Sequence, residues 1–308
     1  MAITASQVKE LREMTGAGMM DCKKALTATE GDMDQAVEWL RENGLAKAAK
    51  KSGRIAAEGI VAVDVAEDGK VASIVEVNSE TDFVAKNEKF QAYVAEVAAQ
   101  AKNSSAASLE DFMAEKWAAE DAGTVEEKLK AMIAVIGENM NIRRFEKVTT
   151  DGLVVPYIHG GGKIGVLVVA DTDSDSDAVK ECLKNVAMQV AALRPQYVST
   201  DDVDSDYKEH EKSILLAQAK NDPKNAKKPD NIIEKMIAGR LKKELKEFCL
   251  VEQPYVKDTD MTVKQYIDSV AKVVGAPIEI TRYVRFETGE GMEKKDENFA
   301  EEVAKAMN

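Results

Sequence analysis

Few side chains in this sequence have the type and spacing to do chemistry. There are two histidines, His159 and His210, far apart along the chain. His159 could serve as a base, but no nucleophile or carboxylate pattern accompanies it, so a surface or interface histidine is the better reading. The acids Glu138 and Asp151 show no sign of a shared cleft. Cys22, Cys182 and Cys249 are widely spaced, odd in number and free of any CxxC pair, which suggests neither a zinc site nor a disulfide framework. No GxxxxGK[ST], GxSxG or HExxH pattern occurs. The run GGGK, 160–163, invites a phosphate-loop reading, but it falls in the turn of a strand hairpin with no helix N-terminus behind it. Nothing here specifies a reaction centre, a cofactor or a metal.

Two other stretches are odd as surfaces rather than as reagents. Met19-Met20 opens a helix in a three-helix unit too small to bury both, so one is expected in the core and the other exposed, with both in the core as the competing reading. Asp82-Phe83 lies within EVNSETDFVAKN, 76–87, between a strand and a helix, where turns favour Gly, Asn, Asp and Ser. Local physics alone favours Phe83 folding back onto the following helix as a staple-like contact. The competing reading is an exposed wedge on a fixed loop, placed to enter a partner.

Residues 1–46 read as three short helices, with Thr4 or Ser6 as first cap and Val8, Leu11 and Met14 on one stripe. TGAG, 15–18, and Gly31-Asp32 break them, and Asn43-Gly44 reads as the C-cap of the third, 33–42. So small a core predicts a mobile module followed by a linker through KAAKKSGR, 47–54. From residue 55 the period changes. Strands are expected at 59–66 and 70–78 around a Glu67-Asp68-Gly69 turn, then helices at 87–101 and 125–137 and a strand at 141–148.

The next region repeats this one. GLVVPYIHGGGKIGVLVVAD, 152–171, lies over GIVAVDVAEDGKVASIVEVN, 59–78, without a gap at an offset of 93 residues. The same offset carries Val97-Ala98-Ala99 onto Val190-Ala191-Ala192, and ITRYVRFETG, 280–289, matches NIRRFEKV, 141–148, in type. The second copy carries an insertion of two charged helices, about 205–219 and 229–246, joined by NDPKNAKKPD: a protruding helical hairpin. An extended segment, 250–258, a helix, 262–274, and a short amphipathic tail helix with Phe299, Val303 and Met307 complete the chain. The fold class is α+β: a three-helix N-terminal domain with its linker, 1–54, core subdomains at 55–148 and 149–288, the hairpin insertion at about 198–248, and a C-terminal helical module at 289–308.

Composition narrows the class. A hydrophobic fraction of 44% with 31% charged residues is that of a globular chain. A net charge of −13 without a basic stripe argues against direct nucleic-acid binding, which needs clustered Lys and Arg. No segment approaches the roughly 18 apolar residues of a membrane span, and MAITASQVKELREMTG lacks the apolar stretch of a secretory signal. The expected compartment is the cytoplasm.

At this point the residues resemble a family. LREMTGAGMMDCKKAL, 11–26, and EVNSETDFVAK, 76–86, look like the two signatures of bacterial elongation factor Ts. GENMNIRR, 137–144, HGGGKIGVLV, 159–168, and EGMEKK, 290–295, match in the same order, over essentially the whole chain. The resemblance implies a guanine-nucleotide exchange factor for elongation factor Tu, without substrate chemistry of its own. It implies that Thr81, Asp82, Phe83 and Val84 form a loop that enters the GTPase beside its magnesium site. Leu11, Arg12, Met19 and Met20 resemble the family's patch against a helix of the GTPase domain, and His159 the contact with another domain of elongation factor Tu. The C-terminal helix would return to the GTPase domain, and self-association through the hairpin remains open. Two other classes stand beside this one: an adaptor whose three helices bind ubiquitin-like or ribosome-associated partners, and a metabolic α+β enzyme, which would need polar side chains clustered near GGGK.

Overall fold

The computed structural model describes residues 3–119, 123–222 and 228–293. The expected tail helix with Phe299, Val303 and Met307, most of the 289–308 module and Pro223 of the hairpin turn lie outside the described residues.

Three helices open the chain: α1 (Ala5–Thr15), α2 (Met19–Ala28) and α3 (Met33–Lys51). Thr4 caps α1 in a reciprocal box with Gln7, and Gly16 ends it in the left-handed region at φ 66°. Val8, Leu11, Cys22, Ala25, Leu26 and Ala36 form their shared core. The third helix corrects the sequence reading. It does not stop at Asn43-Gly44 but runs to Lys51, taking in half of the expected linker. Asn43 turns its Nδ2 back to the Trp39 carbonyl at 2.9 Å. Gly44 is buried, and a Cβ built there would lie 3.1 Å from Ala134 Cβ on the helix α7 (Val125–Ile136). The glycine serves a close helix crossing rather than a helix end. α3 packs along α7.

The remainder is built from two sheets of one design. β1 (Glu58–Val65), β2 (Val71–Ser79) and β3 (Met140–Thr149) form an antiparallel sheet in that order. β4 (Leu153–His159), β5 (Ile164–Asp171) and β8 (Glu279–Glu287) form the second. In each, the middle strand pairs with both neighbours, and its register shifts at one place: between Glu76 and Val77 in β2, and between Val169 and Ala170 in β5. Those two irregularities are 93 residues apart. α5 (Glu88–Asn103) covers the first sheet through Phe90, Val94 and Val97, and α8 (Asp177–Leu193) covers the second through Leu183, Ala187 and Val190. Strand alternation sends the other faces towards each other. Val61 and Ile74 meet Val154, Leu167 and Phe286 between the sheets. The layers are therefore helix, sheet, sheet, helix.

Between strands the first copy inserts a single turn, α4 (Asp82–Ala85), and α6 (Leu109–Ala114), which seats Trp117 in the core. The second inserts α9 (Ser205–Asn221) and α10 (Asp230–Phe248), packed through Leu215, Ile233 and Ile237. The segment expected as extended at 250–258 is instead a 3-10 turn, Leu250–Glu252, followed by the short strands β6 (Pro254–Tyr255) and β7 (Asp258–Thr262). α11 (Val263–Val274) follows, with Thr262 and Gln265 as its capping box.

Candidate functional site

The stretch between β2 and α5 is folded by caps. Thr81, at φ −131° and ψ 155°, is the N-cap of α4, its Oγ1 accepting from the Val84 N–H at 3.4 Å. Six residues later Asn87 caps α5 through Oδ1, accepting from Lys89 and Phe90. Two caps so close leave room for one helical turn. Val84 points inward and is buried, so Phe83, one residue back, faces out. Phe83 is 79% exposed, which overturns the staple expected from local physics. Its neighbour in space is Lys86, whose Nζ lies 5.9 Å from the ring centre and 2.6 Å from Asp82 Oδ2. The Lys86 hydrogen bond, with the charges of Lys86 and Lys163, holds the Asp82 carboxyl below the usual carboxylate range.

The α4 turn packs on β1, and the GGGK turn docks on the same strand. Gly160, Gly161 and Gly162 all have positive φ, at 60°, 66° and 100°. They turn the β4–β5 hairpin back, and the Gly162 carbonyl accepts the Val61 N–H of β1 at 2.7 Å. GGGK is a hairpin turn, as the repeat implied, and it docks on the edge strand β1. His159 is exposed at its base, with Nδ1 2.9 Å from the Tyr157 hydroxyl. His210 lies apart, on α9.

The N-terminal residues divide. Arg12 is exposed, and Met19 and Met20 are 57% and 64% exposed, so neither methionine is in the core. Met14 joins them at 60%. Leu11 is fully buried against Cys22 and Leu26; it supports this surface from beneath instead of forming it. A Cβ on Gly16 would lie 3.5 Å from Lys89 Nζ, so the α1–α2 corner stands at the start of α5, a few residues past Phe83.

Two acids organise the region: Glu76, missed in the sequence, and Glu138, named there but given no partner. Glu76 is completely buried in β2. It accepts from Arg144 Nε at 2.6 Å, Arg143 Nη1 at 3.0 Å, Asn78 Nδ2 at 3.1 Å and the Gly289 N–H at 2.8 Å. Burial disfavours its charge, yet these donors outweigh burial and hold its carboxyl below the ordinary range. Two of the quoted family motifs, EVNSETDFVAK and GENMNIRR, thus meet at one carboxylate together with Gly289. The legible signal was a charge in the middle of the apolar run ASIVEVN, which demands a partner once buried. The second acid, Glu138, accepts from Thr81 Oγ1 at 2.7 Å and the Thr81 N–H at 3.0 Å. Among the described residues, no group of three or more His, Cys, Asp or Glu side chains is placed to hold a metal ion. No described helix is long and apolar enough to cross a membrane.

This geometry defines an α+β protein that carries exposed apolar side chains on rigidly capped corners of a duplicated core. The model of the family described as Elongation factor TS matches residues 80–290. The chain is 55% identical over 305 residues to elongation factor Ts of Clostridioides difficile (strain 630), covering 99% of each chain. It is 52% identical over 307 residues to elongation factor Ts of Clostridium novyi (strain NT), again covering 99% of each. With elongation factor Ts of Clostridium perfringens (strain 13 / Type A) the identity is 54% over 304 residues, and 98% of each is covered. The chain belongs to the elongation factor Ts family.

Proposed function

We propose that this protein is the guanine-nucleotide exchange factor of elongation factor Tu, acting in the cytoplasm during translation elongation and carrying out no substrate chemistry of its own. The observation that carries the reading is Phe83, 79% exposed on a turn whose backbone is capped at both ends. A fixed aromatic in water is a poor arrangement for the free protein and a good one for a partner. Burying it on binding is worth about 1.5–3 kcal/mol. Thr81, Asp82, Phe83 and Val84 form the exchange loop: Asp82 and Phe83 enter beside the magnesium site of the GTPase, while Thr81 and Val84 anchor them. Phe83 wedges between elements flanking the nucleotide, magnesium contacts loosen, and GDP leaves. Arg12, Met19 and Met20 hold one face of the GTPase domain, with Leu11 behind them, and His159 touches a second domain. The energetics are those of linkage. Whatever factor this protein gains for the nucleotide-free GTPase, it removes from nucleotide affinity.

The test is release of fluorescent GDP from elongation factor Tu. The wild-type chain should accelerate it. Phe83→Ala should slow that acceleration by at least about tenfold while changing unfolding free energy by less than about 0.5 kcal/mol, because the exposed ring contributes little to the fold. Full acceleration by Phe83→Ala would refute the wedge, and none by the wild type would refute the reading as a whole.

A further inference from the structure

A hydrogen-bonding pattern around Thr81 separates its turn from the other threonine-capped helices. In α1, α7 and α11 the N-cap threonine is answered by the residue three positions on: Gln7, Glu127 and Gln265 each return a side-chain oxygen to the N-cap backbone N–H. In α4 that third residue is Val84, which is buried as the anchor of the turn and has no oxygen to return. The Thr81 N–H is satisfied instead by Glu138, 57 residues away in sequence, at 3.0 Å. The same carboxylate takes the Thr81 hydroxyl proton at 2.7 Å. That second bond sets the rotor. With its one proton committed to Glu138, Oγ1 turns lone pairs towards the Val84 N–H.

The clasp is reciprocal. Glu80 Oε1 accepts the Asn139 N–H at 2.6 Å, so residues 80–81 and 138–139 each supply the other with a carboxylate. Gly137, left-handed at φ 90°, turns the chain out of α7 and presents Glu138 to the loop. The same segment holds the end of α3: Lys51 Nζ donates to the Gly137 carbonyl at 2.5 Å, and Asn139 Nδ2 to the Arg54 carbonyl at 2.7 Å.

We propose that Glu138 is the positioning residue of the exchange loop, completing across the chain the capping box that Val84 cannot, and so fixing the direction in which Phe83 projects. This rests on the exchange reading above for its kinetic part only. Orientation matters because misplacing a reacting or wedging group by about 1 Å can cost on the order of a hundredfold in rate.

The experiment uses the full chain and its Glu138→Ala and Glu138→Gln variants, alone and with Phe83→Ala. GDP release is measured over a range of factor concentrations. Glu138→Ala is expected to lower the maximal rate about tenfold while the half-saturating concentration moves by less than about threefold, since Met19, Met20 and His159 still bind. Glu138→Gln, with one acceptor left, falls between. The double variant Phe83→Ala/Glu138→Ala is expected to be no slower than Phe83→Ala alone, because Glu138 acts through the turn. Hydrogen exchange in the free protein should quicken at the Thr81 and Val84 amides and stay unchanged in β2 and α5. A full maximal rate in Glu138→Ala, or independent multiplied losses in the double variant, overturns the proposal. If the wild type fails to release GDP, the exchange reading falls, and amide exchange decides the positioning by itself: unchanged Thr81 and Val84 amides overturn it.

Discussion

Glu76 is the residue whose environment most constrains the molecule. Its counterpart 93 residues on is Val169, so one copy of the repeat holds a buried carboxylate where the other holds an alkyl group. The carboxylate joins β2 to Arg143 and Arg144 of β3 and to the Gly289 N–H, just past β8. Arg144 also lies over the Phe286 ring, 4.2 Å from its centre. Glu76→Gln leaves two guanidinium groups short of a charge. A loss on the order of 2–4 kcal/mol is expected, somewhat below that of a fully buried pair because both arginines are partly solvated. The pH dependence follows from the sign of the shift. The folded carboxyl is held below its unfolded value of about 4.3, so its contribution is complete above that pH and drains away as pH falls through the folded value. In urea titrations the gap between wild type and Glu76→Gln should be constant from pH 7 to about pH 5 and close below about pH 4. A gap independent of pH would show that packing, not charge, holds this site.

At the scale of elements, helix starts were legible because they are local. Thr4, Thr124 and Thr262 each bring a partner three residues on, but of the stripe expected behind Thr4 only Val8 and Leu11 are buried, while Met14 is 60% exposed. What misled was Asn43-Gly44. A C-cap and a tight helix crossing use the same residue, and only the position of Ala134, 90 residues on, distinguishes them. Phe83 was visible as an oddity for the converse reason: its anomaly is local, although the carboxylate that orients its turn is not. Glu138 looked unpaired because its partner Thr81 is 57 residues away in sequence, brought beside it where β2 and β3 pair. The crossing of α3 on α7 gives a direct test. Gly44→Leu must push the two helices apart or force strained rotamers, so a loss of about 1–3 kcal/mol is expected in thermal unfolding. Were Gly44 only a helix end, leucine there would be tolerated with little change, and an unaltered melting temperature would remove the packing role.

Across the whole molecule, the repeat read in the sequence becomes a pseudo-twofold. The Gly69 carbonyl of the first hairpin accepts the Val154 N–H at 2.8 Å, and the Gly162 carbonyl of the second accepts the Val61 N–H at 2.7 Å. Each hairpin turn thus docks on the first strand of the other copy, as the two halves of an isologous dimer would. The one-dimensional pattern could give the offset but not this exchange, since nothing along the chain states which sheet faces meet. The interface is close enough to require missing side chains. A Cβ on Gly165 would collide with Val61 Cγ1 of β1 and lie 3.2 Å from Ile158 Cδ1 of β4 and 3.3 Å from Ile74 Cδ1 of the middle strand β2. Gly165→Ala is therefore expected to destabilise by about 1–3 kcal/mol in urea unfolding, since the core cannot yield at one methyl without parting the sheets. Gly239→Ala is the matched opposite: helical, exposed and with open space around it, it should gain up to about 1 kcal/mol from helix propensity. The same alanine, opposite in sign at the two sites, isolates the sheet-to-sheet contact from the general effect of removing a glycine. If Gly165→Ala were neutral, the sheets would have slack between them. The Phe83 turn and the His159 turn would then no longer be held by it in one frame.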